Sequence, residues 1–376
     1  MAKTTTKKRG GGGGGARKGR VKGLTYAGAG VNIEEGDRFV DLIQKNVRST
    51  YGPRVLQRPG GFAGLFRLDF NEKLFKRNYK DPVLVACTDG VGTKIKVAAE
   101  LKKYDTIGID LVAMNVNDLI VEGAEPLLFL DYVAVHKVVP ETLADVVKGI
   151  AAGCREAGAA LLGGETAEMP AVYAPGEFDL AGFAVGVVEL ARATDSERVE
   201  PGDVVLGLAS SGVHSNGYAL VRSIVDEAGL DYEKTYSELD KKRTLGDVLL
   251  TPTRIYAKPI VSTLRAYTVK KVVSGMAHIT GSGLGANLER ALHPGVDAVL
   301  DAGAWDVPPV FTFLQEQGGV ETEEMRRVFN MGIGYCVIVR PAFASAVARR
   351  LRTAGETVRT IGKVVKGSGR VVIEEA

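Results

Sequence analysis

The chain contains the stretch Pro82-Val-Leu-Val-Ala-Cys-Thr-Asp-Gly-Val-Gly-Thr-Lys94, a short apolar run followed by an acidic, glycine-rich turn. The β-branched run predicts a buried strand over 82–88, and the turn is expected to lead into a helix over 93–103. Two glycines let backbone amides approach an anion, and the Asp89 carboxylate suits magnesium that bridges phosphate oxygens. The stretch therefore indicates a nucleotide site, although turn chemistry alone also selects Asp and Gly.

Polar side chains interrupt the apolar segment 106–123, whose spacing is helical. Asn115, Asp118 and Glu122 fall on one face of the predicted helix. Such a stripe is usually solvated, but apolar residues surround this one on every side, so its polar groups need partners. With Asp110 near the helix start, the segment supplies hard oxygen ligands of the kind that magnesium prefers.

A third acidic motif, Gly163-Gly-Glu-Thr-Ala-Glu-Met-Pro170, follows a short apolar run over 159–162. We expect that run to be a strand and Glu165 to lie at its end, where ligands bind in open α/β sheets. Gly-Gly-Glu is equally compatible with a plain turn.

Two loops in the second half combine glycine with hydroxyl and imidazole groups: Ser210-Ser-Gly-Val-His-Ser-Asn-Gly217 and Ala277-His-Ile-Thr-Gly-Ser-Gly283. The first precedes a predicted helix, whose N-terminus suits an anionic group. A lone histidine is more often structural than functional, and we interpret His136 and His293 in that way. The two loops are candidates for binding an anionic substrate.

Apolar runs and turn signals predict alternating strands and helices along the whole chain. Predicted strands cover 82–88, 127–135, 159–162, 180–190, 204–209, 296–300, 332–339 and 371–373, and predicted helices cover 93–103, 106–123, 140–157, 217–228 and 254–263. A polar linker over 192–202 separates the halves. We therefore expect an α/β (α+β) protein with two mixed α/β domains.

Length and composition fit a globular protein with two cores. The chain has 376 residues, of which 45% are hydrophobic and 25% charged, and its apolar runs are too short to span a membrane. Residues 1–22 carry eight basic side chains and no acidic one, so the net charge of +3 becomes −5 for the remainder. An acidic body argues against nucleic-acid binding.

The basic N-terminal segment, residues 1–23, includes six consecutive glycines at 10–15. It cannot bury enough apolar surface to offset its ordering entropy, so we expect disorder, either as a solubilising tail or as a weak tether for RNA. Cys87, Cys154 and Cys336 are widely spaced in apolar stretches, which is typical of buried thiols in a reducing compartment. Together with the absence of a secretory signal, this predicts a cytoplasmic protein.

Many motifs of the chain resemble those of the phosphoribosylformylglycinamidine cyclo-ligase family, also called AIR synthetase. Besides the three acidic motifs and the two loops, the similar stretches are Gly108-Ile-Asp-Leu-Val-Ala-Met114, Gly123-Ala-Glu-Pro126, Phe129-Leu-Asp-Tyr132, Asp179-Leu-Ala-Gly-Phe-Ala-Val-Gly-Val-Val188, Pro252-Thr-Arg-Ile-Tyr256 and Phe329-Asn-Met-Gly-Ile-Gly334. They occur in the family's order from about Leu24 to Ile373. Chance similarity does not explain so many ordered motifs.

The resemblance implies an ATP-dependent enzyme of purine biosynthesis that acts as a homodimer. In the family, N-terminal sheets of two subunits join in a barrel-like core, residues 24–191 here would bind ATP, and residues 202–376 would bind the substrate. The implied reaction converts formylglycinamidine ribonucleotide and ATP into aminoimidazole ribonucleotide, ADP and phosphate. Phosphorylation makes the amide oxygen a leaving group, and an amidine nitrogen of the same molecule closes the ring.

The resemblance also implies roles for individual residues. Magnesium on the ATP phosphates would be held by Asp89, Asp110 and Asp118. The expected ATP contacts are Asp89, Gly90, Gly92, Thr93, Lys94, Asn115, Asp118, Gly123, Glu165 and Thr166. The expected ribonucleotide contacts are Ser211, Gly212, His214, Ser215, Asn216, Thr280, Gly281 and Gly283. The expected catalytic residues are Lys94, which would stabilise charge, and His214 and His278, which would carry protons.

Two stretches depart from the family pattern. The chain reads Tyr26-Ala-Gly-Ala-Gly-Val-Asn-Ile33 where the family commonly has Tyr-Lys-Asp-Ala-Gly-Val-Asp-Ile, so Ala27 replaces a lysine. The usual Thr-Gly-Gly-Gly is Thr280-Gly-Ser-Gly283 here, a mild change if the backbone at Ser282 reaches positive φ.

Three alternatives from related protein classes remain open at this point. A selenophosphate synthetase would need a reactive Cys or selenocysteine near its N-terminus, and a hydrogenase-maturation dehydratase a C-terminal Cys, but the first cysteine here is Cys87 and the chain ends Val371-Val-Ile-Glu-Glu-Ala376. A thiamine-phosphate kinase shares the two-domain plan. A non-catalytic nucleotide-binding protein is a further alternative, which the retained Asp89, Lys94 and Asp118 disfavour.

Overall fold

The computed structural model describes residues 33–56, 63–69, 78–267 and 269–375. The predicted disordered segment 1–23 and the lysine-lacking stretch before Ile33 lie outside these residues. The residues of the predicted polar linker, 192–202, lie between Glu189, where one sheet ends, and Val204, where the other begins.

The first sheet has four strands in the order β3-β6-β4-β5. They are β3 Pro82–Gly90, β4 Glu125–Val135, β5 Ala160–Glu168 and β6 Phe178–Glu189, and a small separate hairpin joins β1 Val55–Leu56 to β2 Leu65–Phe66. β4 and β5 are parallel, whereas β6 pairs antiparallel with both β3 and β4. The mixed pairing is the α+β arrangement that the sequence predicts.

Four helices accompany this sheet: α1 Ile33–Arg48, α2 Lys94–Glu100, α3 Ile107–Val121 and α4 Pro140–Ala157. α4 has Pro140 at its first turn and ends at Gly158, which takes the left-handed conformation with φ 83°. α3 and α4 cross closely at Gly108, where a Cβ would lie 2.3 Å from the Ile150 amide nitrogen. Backbone contact at that point holds α3, which carries the polar residues, against α4.

The second sheet has six strands in the order β12-β9-β11-β7-β10-β8. They are β7 Val204–Ala209, β8 Val273–His278, β9 Val296–Asp301, β10 Ile333–Val339, β11 Val358–Lys366 and β12 Val371–Glu374. The helices of this half are α5 Tyr218–Glu227, α6 Leu245–Leu249, α7 Ala257–Ala266, α8 Gly283–Glu289, α9 Pro309–Gly318, α10 Thr322–Val328 and α11 Ala344–Thr353. The sheet is antiparallel except for the β9–β12 pair.

The two halves share one continuous apolar core. Buried residues of α3, such as Leu111 and Val116, belong to the same cluster as Leu206, Tyr256 and Val337 of the second half. α3 contacts β8 and α7 as well as β3 and β6. The helix therefore links both sheets, and its polar residues lie at the domain boundary.

Each strand and helix predicted from the sequence is present in the structure, but one predicted residue position is wrong and several further elements were not predicted. Glu165 lies inside β5, which continues to Glu168, rather than at a strand end. The sequence prediction also lacked the strands β1, β2, β8 and β11 and the helices α1, α6, α8, α9, α10 and α11. Of the cysteines, Cys154 and Cys336 are buried as predicted, while Cys87 is only half-buried.

None of the helices within the described ranges is long and apolar enough to cross a membrane.

Asp131 lies on β4, opposite Gly164 of β5. A Cβ at Gly164 would lie 2.4 Å from the carboxylate oxygen Oδ1 of Asp131, so the glycine makes room for this side chain. Burial raises the pKa of Asp131 to about 7. The carboxyl group therefore changes its charge near neutral pH.

We expect Asp131→Asn to stabilise the protein more at pH 8 than at pH 5. Because the folded-state pKa is raised, the folded protein keeps a proton that the unfolded chain releases, and this stability is lost as the pH rises through about 7. Asparagine does not ionise, so its relative advantage should grow by about 2–3 kcal/mol between the two pH values. Urea unfolding at both pH values measures this, and a constant difference between the proteins would contradict it.

Candidate active site

Three loops meet at the boundary between the domains. The turn after β3 approaches the loop 210–217, because the Ser215 hydroxyl donates to the Val91 carbonyl at 2.8 Å. The same loop approaches the loop 280–283, since a Cβ at Gly281 would lie 3.6 Å from Asn216 Oδ1. The glycine-rich turn and both polar loops of the second half thus form one site, although they are far apart in sequence.

Asp89 lies at the end of β3, where the turn begins. Its carboxylate accepts a hydrogen bond from the Gly90 amide at 2.7 Å. The turn continues through Gly92, with φ 72°, and Gly92 and Thr93 are exposed. α2 spans only seven residues, so anion binding at this turn rests on the individual amides more than on a helix dipole.

Asp118 reaches this turn from α3. Burial raises the pKa of Asp89, and the negative charge of Asp118 raises it further. Two adjacent carboxylates repel each other unless a cation or proton separates them. Asn115 adds a buried amide oxygen, Oδ1, that has no hydrogen-bond partner. These oxygens fit a magnesium ion that also contacts phosphate, and the ion would supply Lewis-acid stabilisation of phosphate charge.

The protein side chains do not complete a metal site by themselves. Within the described residues there is no cluster of three or more His, Cys, Asp or Glu side chains positioned to hold a metal. A magnesium ion at Asp89 and Asp118 would therefore depend on phosphate oxygens and water for its remaining ligands.

Asp118 is also the link to the second domain. His278, at the end of β8, places Nδ1 2.8 Å from Asp118 Oδ1. The other ring nitrogen of His278 lies 3.5 Å from the amide nitrogen of Asn117. The predicted proton carrier therefore contacts the predicted metal ligand, with the Asp118 side chain 42% exposed.

Asp110 does not join this carboxylate pair. It is fully buried and forms an ion pair with Lys94, 2.9 Å away. The predicted trio of metal ligands is thus reduced to Asp89 and Asp118, because Asp110 has a different partner. Lys94 is equally buried, so it does not face a phosphate on the turn, contrary to the sequence-based expectation.

His214 is buried inside its loop rather than facing the cleft. Its Nε2 accepts from the Ser211 amide at 3.1 Å, while its Nδ1 is buried without a partner. Burial lowers the pKa of His214 well below its ordinary value, and the nearby His278 lowers it further. His214 is therefore neutral at physiological pH, and the structure does not bring it to a position from which it would carry a proton to substrate.

Several predicted substrate contacts also form bonds within the protein. The Ser211 hydroxyl donates to the Pro252 carbonyl at 2.6 Å, and the Thr280 hydroxyl donates to Asn287 at 3.3 Å. Gly283 is buried, whereas Ser211, Gly281 and Ser282 are exposed and Asn216 is half-buried. Because the Ser211 amide already donates to His214, the exposed residues Gly281 and Ser282, with Asn216, are the groups that remain for an anionic substrate.

Three other predicted residues lie away from the carboxylate pair. Glu165 is related to Gly90 by cross-strand pairing through the two strands between them. Three strand spacings separate the two residues, which is about 14 Å. Thr166 follows Glu165 on β5. Gly123 lines a cleft of about 420 Å³ with Glu125 and Glu189 near the opposite end of β3.

Some residues at the site were not predicted from the sequence. Asn117 accepts from the Tyr256 amide at 3.0 Å and donates to the Arg254 carbonyl at 2.8 Å. Asn330 donates to the Gly212 carbonyl at 2.9 Å. Two features of the sequence point to these residues. One is an asparagine inside an apolar helix, and the other is the pair of motifs Pro252-Thr-Arg-Ile-Tyr256 and Phe329-Asn-Met331, which have no role in the sequence-based prediction.

Ser282 occupies a backbone conformation that favours glycine. Its φ is 77°, and Gly283 after it has φ 70°. The loop reaches positive φ at the position where the serine replaces the glycine of the usual pattern. A left-handed conformation costs a non-glycine residue about 1–2 kcal/mol.

We expect Ser282→Gly to raise the free energy of unfolding by about 0.5–1 kcal/mol, because relief of strain exceeds the greater entropy of glycine in the unfolded chain. Ser237→Gly is the control, because Ser237 is exposed and is not among the positive-φ residues. Urea unfolding of both variants measures the difference. Equal destabilisation by the two glycines would contradict the strain at Ser282.

The fold and the three-loop site define a class of two-domain proteins, and comparison with known families identifies it. The N-terminal domain of the AIR synthase related proteins matches residues 75–188, and their C-terminal domain matches residues 200–374. Phosphoribosylformylglycinamidine cyclo-ligase of Burkholderia lata is 52% identical over 343 residues, 91% of this chain and 93% of that protein. The enzyme of the same name from Anaeromyxobacter sp. is 51% identical over 352 residues, 93% of this chain and 98% of that protein. The chain belongs to the phosphoribosylformylglycinamidine cyclo-ligase family.

Solved structures with low sequence identity share the fold. The hydrogenase maturation protein HypE of E. coli has a TM-score of 0.62 at 18% identity and covers 92% of this chain and 94% of its own. Thiamine-monophosphate kinase of Stenotrophomonas maltophilia has a TM-score of 0.61 at 18% identity and covers 90% of this chain and 95% of its own. The fold class predicted from the sequence is confirmed, as is the family.

Proposed function

We propose that the protein catalyses the ATP-dependent closure of formylglycinamidine ribonucleotide to 5-aminoimidazole ribonucleotide, with release of ADP and phosphate, in purine biosynthesis. The observation that carries this proposal is the meeting of the Asp89 turn, Asp118 and the loops 210–217 and 280–283 at one domain boundary, in a chain about half identical to enzymes of that name. ATP supplies the phosphoryl group that makes the amide oxygen a leaving group.

In the proposed arrangement the N-terminal domain, residues 24–191, binds ATP. Asp89 and Asp118 hold magnesium, and the amides of Gly90, Gly92 and Thr93 contact phosphate oxygens. Gly92 and Thr93 are exposed and half-buried Asp89 precedes them, which supports this role. The positive charge of magnesium would also relieve the repulsion that helps to raise the pKa of Asp89.

The C-terminal domain, residues 202–376, binds the ribonucleotide in this proposal. The exposed residues Gly281 and Ser282, together with Asn216, suit the substrate's phosphate. The His278 side chain is as buried as that of His214, but it bonds to the partly exposed Asp118 carboxylate, so His278 is the remaining candidate for proton transfer. Its bond to Asp118 fixes the ring beside the magnesium site, and a proton would leave the buried ring through that carboxylate.

We further propose that two copies associate through the uncovered face of the first sheet. Leu84 of β3 is 61% exposed, Leu130 of β4 37% and Phe183 of β6 42%. Leu130 and Phe183 are direct neighbours across the two strands. Exposed large apolar side chains on one sheet face are typical of a protein interface, and a second copy of this face would form the expected barrel-like homodimer in the cytoplasm.

Incubation of the purified protein with ATP, magnesium and formylglycinamidine ribonucleotide tests the proposed activity. We expect aminoimidazole ribonucleotide to form only when all three are present. A parallel incubation with thiamine monophosphate tests the kinase alternative. Phosphorylation of thiamine monophosphate without ring closure would reject the proposal in favour of that alternative.

A further inference from the structure

Lys94 lies fully buried at the junction of the two domains. Its ammonium group donates to Asp110 Oδ1 at 2.9 Å, to the His214 carbonyl at 3.0 Å and to the Thr251 carbonyl at 2.8 Å. Asp110 belongs to the N-terminal domain, whereas both carbonyls belong to the C-terminal domain. The three protons of the ammonium group therefore each have an acceptor, and together they join the domains.

Asp110 makes its own contacts across the same boundary. Its Oδ1 accepts from the Thr253 amide at 2.7 Å and from the Thr253 hydroxyl at 2.6 Å. Both charged groups are completely buried. Neither side chain is available to solvent, and each bonds to the C-terminal domain.

Lys94 lies next to the turn 89–93 in the chain and contacts the loop 210–217 across the domain boundary. Lys94 immediately follows the turn from Asp89 to Thr93, and it donates to the backbone of His214 in the loop 210–217. Ser215, the next residue in that loop, donates to the carbonyl of Val91 in the turn. Two hydrogen bonds therefore join the turn to the loop, one from Lys94 to the His214 carbonyl and one from Ser215 to the Val91 carbonyl.

We propose that Lys94 and Asp110 are positioning residues that hold the ribonucleotide loop 210–217 in register with the ATP turn, and that neither contacts ATP. This inference rests on the proposed function, because it assigns the two segments to the two substrates. Reaction between two bound molecules depends steeply on their mutual placement, and a displacement of about 1 Å is enough to cost on the order of a hundredfold in rate.

A buried ion pair often contributes no more to the free energy of unfolding than apolar residues in its place would. Well-packed apolar residues of similar volume often stabilise a protein as well or better, whereas loss of one partner leaves an uncompensated charge. A variant that removes both charges of the Lys94–Asp110 pair is therefore needed to separate an effect on stability from an effect on positioning. A matched ion pair that does not join the domains is needed as well.

Arg340 and Asp203 provide that matched pair inside the C-terminal domain. Asp203 is 1% exposed and lies 3.1 Å from Arg340. Arg340→Met and Lys94→Met each leave a buried aspartate without its cation. Arg340 is 26% exposed and also pairs with Glu200, so Arg340→Met should lose less stability than Lys94→Met, and kcat is compared with stability in both variants.

The test measures unfolding, magnesium–ATP binding, steady-state kinetics and amide exchange in Lys94→Met, Lys94→Met/Asp110→Leu and Arg340→Met. In both Lys94 variants we expect kcat to fall about a hundredfold, magnesium–ATP affinity to change less than about threefold, and amides of 210–217 to exchange faster. The double variant should regain stability without regaining kcat. Arg340→Met should retain kcat and the slow exchange of that loop.

Two results would overturn the inference. Recovery of stability and kcat together in the double variant would show that the pair serves stability alone. A fall of magnesium–ATP affinity of more than about tenfold would show that Lys94 acts on the nucleotide. If the unaltered protein forms no aminoimidazole product, the proposed function fails, while amide exchange and ATP binding still test the positioning role.

Ser215→Ala keeps the inference testable if the charge variants do not fold. It removes the bond to the Val91 carbonyl without leaving a buried charge. We expect faster exchange in 210–217 and about a tenfold fall in kcat with unchanged magnesium–ATP affinity. Unchanged amide exchange in 210–217 together with unchanged kcat would contradict the proposal that this hydrogen bond holds the loop against the turn.

Discussion

Asp118→Asn is expected to lower kcat by at least about a hundredfold and to weaken magnesium–ATP binding by at least about tenfold. The substitution keeps the size of the side chain and an oxygen that can accept from His278, but it removes one of the two negative charges at the proposed metal site. The Asp118 side chain is 42% exposed, so the fold should not change. Titration calorimetry with magnesium–ATP and steady-state kinetics measure both effects.

Asp145→Asn is the control for this prediction. Asp145 is an exposed carboxylate on α4 of the same domain, so its loss lowers the overall negative charge equally. We expect unchanged kinetics and binding. If Asp118→Asn bound magnesium–ATP as tightly as Asp145→Asn does, Asp118 would not be a ligand of the metal–nucleotide complex.

Gly283→Ala should destabilise the protein by about 3 kcal/mol or more, whereas Gly281→Ala, two residues earlier, should fold normally. A Cβ at Gly283 would lie 1.9 Å from the Arg326 carbonyl oxygen, and φ is 70° there. Backbone atoms cannot move aside as a flexible side chain would. At Gly281 the nearest atom to a Cβ is Asn216 Oδ1 at 3.6 Å, which is an ordinary contact.

Thermal and urea unfolding of the two alanine variants test this contrast. Both glycines were expected from the sequence to bind the ribonucleotide, but the buried Gly283 has a packing requirement that the exposed Gly281 lacks. Similar stability of the two variants would contradict the close approach of this loop to Arg326. A change in substrate KM with normal stability in Gly281→Ala would support contact between that glycine and the ribonucleotide.

Local sequence signals were sufficient for the elements that carry the acidic motifs. The run before Asp89 is short, apolar and β-branched, and it forms β3; α4 begins at Pro140 and ends before Gly158, as its termination signals predict. β11 shows why other strands were missed. Its buried residues Val358, Ile361 and Val364 recur every third position, because the register shifts between Thr360 and Gly362, and that spacing hides the alternation of a strand.

The site was predictable as a set of motifs but not as a set of contacts. Asp110 and Asp118 lie on one largely apolar helix, and the sequence could not distinguish the first, which pairs with Lys94, from the second, which approaches Asp89. Partners such as Thr253 come from the other domain and depend on how the domains pack. Residue type and spacing therefore predicted the chemistry of the site, while burial decided which residues supply it.

Isotope transfer tests the central claim most directly, because it follows the oxygen atom that ring closure must remove. Formylglycinamidine ribonucleotide carrying oxygen-18 in its formyl group is incubated with the protein, ATP and magnesium, and the released phosphate is analysed by mass spectrometry. The proposed reaction predicts one labelled oxygen in each phosphate, with equal amounts of ADP and aminoimidazole ribonucleotide. Unlabelled phosphate, or ADP formed without the aminoimidazole product, would contradict the account.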